Sequence, residues 1–170
     1  MSSHHLDTYL NDHLAGSVAA IEMLIHVAEK HSDLVDAPTI LAIKRDVEED
    51  RGTLEALMRR LGIDHSATRK AIGWLAERFT RLKLAVDDPA DHGFRAFEMI
   101  QLISLGIEGK SSLWKSLAAV AAGDPVLSGV DYPMLLQRAT EQRSRLEPVH
   151  AALARTALLR RENTPSSSPA

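Results

Sequence analysis

Apolar residues along this chain recur at intervals of three and four, and runs of β-branched residues alternating with polar ones are missing, so every long segment reads as a helix with one apolar face. The first covers roughly residues 6 to 30, with Leu6, Leu10, Ala20, Leu24 and Val27 in a stripe that His13 and Ser17 share. HSDLVDAPT interrupts it, and Pro38 suits the first turn of a second helix, where a missing N–H costs nothing. That helix carries Ile40, Ile43, Val47, Asp50, Leu54, Leu57 and Leu61, a seam alternating three and four as in a helix packed nearly antiparallel in a bundle. Gly62 ends it.

Ser66 can cap a shorter amphipathic helix running to about Leu84, with Ala71, Leu75, Phe79 and Leu82 on one side and Arg69, Lys70, Arg78 and Arg81 elsewhere. After the polar break DDPADHG comes a helix from about Phe94 to Val120. Its stripe is Ala96, Met99, Ile103, Gly106, Lys110, Leu113 and Leu117, with Gly106 expected where a neighbouring helix comes close. AAGDPVLSGVDYP breaks the pattern again, and Pro133 opens a last helix with Leu135, Ala139, Gln142, Leu146, Val149 and Leu153 inward. Pro148 predicts a kink or local break there, and residues 163–170 read as a disordered tail.

The predicted fold class is therefore all-α, in a single domain over residues 1–162. The first and last breaks are short enough for antiparallel hairpins. The middle connection, Gly62 to Gly93, carries its own helix over about residues 66–84, which at 1.5 Å per residue spans about 27 Å and traverses most of a bundle. Crossing the bundle makes the second and third long helices parallel.

Composition narrows the function classes. Twenty basic and 23 acidic residues are interspersed at a net charge of −3, which leaves no footprint for nucleic acid. The absence of cysteine removes thiolate metal sites, redox pairs and cysteine nucleophiles, and fits a reducing cytoplasm. The opening residues lack the form of a secretory signal and no apolar run is long enough to cross a bilayer, so the expectation is a soluble, cytoplasmic protein with no membrane partner. No serine, histidine and acid form a nucleophile motif.

One stretch, SLGIEGKSS at Ser104–Ser112, nearly spells a phosphate loop: Gly109, Lys110 and Ser111 match its second half, with Ser104 in place of the first glycine. Such a loop needs a strand before it and a helix starting at its lysine. Here the helical stripe runs through the glycines unbroken, so no nucleotide site is expected.

Instead, a lysine lies on the inward stripe of the third long helix and an aspartate on that of the second. Counting outward from the hairpin turns puts Asp50 level with Ser17 and Lys110 level with Gln142, a buried polar layer of four with His13 one turn away. Lys110 either pairs with Asp50, Ser17 and Gln142 filling the remaining hydrogen-bond positions, or runs its stem along the core and puts its ammonium in water. Trp74 and Trp114 read as core or dimer-contact residues. His4, His5, Glu22 and His26 read as solvent-facing.

Two hairpins joined by one long crossover resemble the ferritin-like superfamily over about residues 6 to 158, and in particular compact bacterial ferritin-like proteins whose crossover carries a helix. The resemblance implies a four-helix bundle and, in members with a working di-iron centre, a glutamate from each of two helices and E-x-x-H from each of the others. This chain departs from that set. Asp50 is followed by Thr53, giving D-x-x-T; Glu147 to His150 does spell E-x-x-H, with His150 nearer the core; Glu98 and Glu108 fall off the stripe; and Lys110 stands at the centre.

The reading is a non-enzymatic structural or interaction protein, a homodimer through an apolar helix face, with no cofactor expected and a polar layer in place of di-iron. The alternative is an iron- or manganese-binding redox or iron-handling protein using a reduced ligand set drawn from Asp50, His13, Glu147 and His150. A third class is a small-molecule binder with a pocket opening between the helices near Gly106.

Overall fold

The computed structural model describes residues 3–64 and 91–159. The connecting helix expected over 66–84, with Trp74, and the tail at 163–170 lie outside the described residues. Within them every regular element is helical: α1 (Ser3–Lys30), α2 (Ala37–Arg60), α3 (His92–Val120), a one-turn α4 (Pro125–Ser128) and α5 (Tyr132–Leu158).

Local chemistry sets the ends. Asp36 caps α2 by accepting from the Thr39 N–H at 3.2 Å, with proline in the first turn. At its other end Gly62 turns left-handed at φ 68°; its N–H donates to the Arg59 carbonyl and that of Ile63 to the Met58 carbonyl. That pair of bonds is a Schellman motif, and the buried Ile63 and Met58 supply its apolar contact. Asp124 accepts from Val126 and Leu127 and so builds α4 inside a stretch expected to be a plain break. Asp131 caps α5 through Met134. Of the kink or local break expected at Pro148, the break does not occur: α5 is helical from Tyr132 through Pro148 to Leu158.

The buried residues fall into two clusters, and these fix the helix directions. One contains Ala20 to Val27 of α1, Ile40 to Val47 of α2, Ala96 to Ile107 of α3 and Ala139, Leu146 and Leu153 of α5. The other takes Leu10 and Leu14, Leu54 to Met58, Leu113 to Leu117 and Leu135. Going from the second cluster to the first therefore follows α1 and α5 forwards but α2 and α3 backwards. The helices form two antiparallel hairpins, α1 with α2 and α3 with α5, with α2 and α3 running the same way. Between the clusters each long helix supplies a polar residue, Ser17, Asp50, Lys110 and Arg138, and Gln142 follows one turn further along α5.

The predicted seams hold in α2 and α5, where Leu61 and Val149 are only half-buried. In α3 one position does not. Gly106 is exposed, and Ile107, Ser111 and Trp114 turn inward around it. A Cβ at Gly106 would meet nothing within 4 Å among the described residues, so none of the described helices is the close neighbour expected there. In α1, Leu14 takes the inward position between His13 and Ser17, which are half-buried. His4 and His5 lie in the first turn of α1.

Candidate functional site

Asp50 is the organising residue, with 1% of its side chain exposed. A buried carboxylate must be met by cations and donors or it is not tolerated. Lys110 Nζ donates to Oδ2 at 2.5 Å, Gln142 Nε2 to the same oxygen at 2.9 Å, and Arg138 Nη1 to Oδ1 at 3.0 Å. Lys110 Nζ also donates to Gln142 Oε1, so the lysine, carboxamide and carboxylate close a triangle across α2, α3 and α5. Lys110 thus turns its ammonium inward, with 14% of its side chain exposed, and does not reach past the core into water.

Burial is the largest influence on Lys110 and pulls its pKa below the usual lysine value, against the attraction and hydrogen bond of Asp50. Desolvation thus outweighs the pair's attraction, as expected where two charges leave water together.

Arg138 was not legible as a member from the inward stripe, because it sits one turn before Gln142 and reaches in from the flank. It bridges outward as well, donating to Glu49 Oε1 at 3.0 Å and resting on Met134 Sδ at 3.4 Å. Ser17 does not join the network: its hydroxyl donates to the Leu14 carbonyl of its own helix at 2.6 Å. A flanking pair, Arg145 with Asp46, ties α5 to α2 on the surface.

Against this layer, between α1, α2 and α3, lies a cavity of about 180 Å³. Asp50, Lys110, His13 and Ser17 line it, and three glycines, Gly16, Gly106 and Gly109, leave its walls without side chains. Burial lowers the His13 pKa, partly offset by Asp12, and keeps the imidazole neutral. Trp114 also lines the space; it is fully buried, and its indole N–H has no acceptor among the described residues.

The metal-ligand candidates are not brought together. Asp50 and His13 line that cavity, whereas Glu147 and His150 line a separate groove between α3 and α5. Glu147 is exposed, and His150 stacks on Phe97 at a centroid distance of 5.1 Å. Among the described residues no three histidine or acidic side chains are placed to hold one ion. At Gly109–Ser111, α3 is continuous, so no helix begins there to cradle a phosphate.

A histidine cluster at the far end of the bundle escaped sequence reading. His31 follows α1 and is fully buried with neither ring nitrogen partnered among the described residues. Its ring lies 5.8 Å from that of His26 and 4.4 Å from that of His92, whose Nε2 is 3.2 Å from Asp33 Oδ1. Burial first, then the neighbouring imidazoles, lower the His31 pKa to about 4 against the pull of Asp33. His26 is thus half-buried and in contact, not solvent-facing, while Glu22 is exposed.

Compared with protein-family models, curated proteins and solved structures, the chain matches none of them. No described helix is long and apolar enough to cross a membrane.

Proposed function

We propose that this chain is a ferritin-like helical bundle whose centre is closed by an ion-paired layer in place of a di-iron site, and that it acts as a non-enzymatic structural or interaction protein. The observation that carries the reading is the saturation of Asp50. Its two oxygens take two cations and a carboxamide N–H. A divalent ion entering there would meet an ammonium and a guanidinium where it needs anionic ligands. The run of α2 parallel to α3, with two hairpins on either side, supports the ferritin-like arrangement.

In this reading the protein pairs as a homodimer through an apolar helix face. Leu102 and Leu105, 42% and 61% exposed on α3, are apolar side chains available for such a contact.

Metal analysis tests the proposal. Protein purified from iron- and manganese-supplemented culture is expected to hold neither in stoichiometric amount, before or after anaerobic loading with ferrous iron. One or two equivalents that vanish in Asp50→Ala would overturn it in favour of an iron-handling protein with a reduced ligand set. Light scattering separately reports the dimer: a monomer at all concentrations would remove that part and leave the closed centre standing.

A further inference from the structure

We infer that His26, His31 and His92 supply the nitrogen donors of a site for a divalent transition-metal ion such as zinc, with Asp33 orienting His92 from behind. The backbone gathers the three rings from distant parts of the chain. His26 lies near the end of α1, His31 is the first residue beyond it, and His92 opens α3. The first two have the H-x4-H spacing found among zinc-binding histidines. The His31 ring centre is 5.8 Å from that of His26 and 4.4 Å from that of His92. Two imidazoles sharing one ion, each nitrogen about 2.0–2.1 Å from it, hold their ring centres about 5 Å apart. The rings are thus already as close as common ligands would be.

His31 itself points to a ligand. It is fully buried, and neither ring nitrogen has a partner among the described residues. Buried polar side chains in native structures are normally hydrogen-bonded. An apolar residue would fill the position without leaving two polar atoms bare, so packing alone does not account for a histidine there. A metal ion is what a neutral imidazole lone pair beside two other imidazoles can hold.

The surroundings suit a cation. His92 Nε2 lies 3.2 Å from Asp33 Oδ1; donating there, it leaves the Nδ1 lone pair for the ion, as metal-bound histidines commonly donate their other N–H to a carboxylate. Arg95, one turn further along α3, is held by Glu98 at 2.8 Å and Asp91 at 3.8 Å. The central layer, by contrast, sets an ammonium and a guanidinium against its carboxylate. With Asp33 65% and His92 34% exposed, an ion has a path in from solvent and water can complete its coordination. As the side chains stand, no three of these groups surround one point. Binding therefore turns the half-buried rings of His26 and His92 towards His31, a rotamer change of the kind common where partners meet.

The inference goes beyond the scaffold reading and does not depend on it: its failure leaves the closed centre untouched. The untagged full chain, stripped with a chelator, is titrated with zinc chloride by calorimetry near neutral pH. One equivalent is expected to bind with a Kd of about 1 μM or tighter. His31→Phe is expected to abolish binding, and His92→Ala, at a half-buried position, gives the same result if His31→Phe fails to fold. Asp33→Asn is expected to weaken zinc by about 10–100-fold while circular dichroism stays unchanged. A variant with His4→Ala and His5→Ala should bind as the parent does. No saturable binding, a Kd unmoved by the His31, His92 or Asp33 substitution, or loss of binding in the His4 and His5 variant would each overturn the assignment. Zinc that survives His31→Phe but vanishes in Asp50→Ala would place the ion in the central layer and overturn it as well.

Discussion

Removing one member of the central layer makes a prediction whose size follows from the partners left behind. In Asp50→Asn, Lys110 and Arg138 lose their shared carboxylate and two like charges remain side by side, one on a side chain only 14% exposed. Breaking a buried pair from one side costs about 3–5 kcal/mol, which for a chain of this size lowers the melting temperature by roughly 8–16 °C for a 4 kcal/mol loss. Lys110→Met is the milder change, because Asp50 keeps Arg138 and Gln142. It removes two hydrogen bonds of the ammonium, to Asp50 and to Gln142 Oε1, of which the ion-paired one contributes about 1.5–3 kcal/mol. In the double variant the buried charges on α2 and α3 disappear together and Arg138 keeps Glu49. The double variant should therefore be more stable than Asp50→Asn alone. Urea unfolding of the four proteins closes the cycle, with an expected coupling of at least about 2 kcal/mol. Strictly additive effects, or Lys110→Met more damaging than Asp50→Asn, would refute the claim that carboxylate and ammonium neutralise one another in the interior.

Acid should loosen the other end of the bundle. The folded-state pKa of His31, about 4, lies below its ordinary 6.5, so the unfolded chain takes up the proton first. The stability tied to keeping it neutral is full above pH 6.5 and is lost as pH falls towards 4, about 3.4 kcal/mol from 2.5 pH units at 1.36 each. His31→Phe should flatten the pH dependence of the urea midpoint across that window; an unchanged slope would show that His31 does not control it. At the end of α2, Gly62→Ala forces a side chain into φ 68° and should cost about 1–2 kcal/mol by urea unfolding, whereas no loss would mean the Schellman turn relaxes freely.

Helix existence, helix faces and the depth of Asp50 were written in the order of residues alone. A 3.6-residue period is a local property: Ile40, Ile43, Val47, Asp50, Leu54 and Leu57 share a face whatever they pack against, and all are buried. The helix starts at Asp36 and Asp131 are equally local, each needing a side-chain oxygen within three residues of a free N–H. Pro148 does not break α5, because an exposed proline on a long, well-packed helix is carried by its neighbours, and tertiary contacts outweigh one missing bond.

What tertiary structure alone decided are relations between helices. Whether Lys110 turned inward depended on the rotation of α3 about its axis, which also left Gly106 outside. Arg138 enters the layer from a flank, so no inward stripe could include it. The histidine cluster joins the end of α1, the turn after it and the start of α3, residues more than sixty positions apart between His31 and His92. The cavity exists because glycines on two different helices face one space beside a buried indole. Periodicity specifies which way a side chain points from its own axis; only the docking of one axis against another determines what it meets.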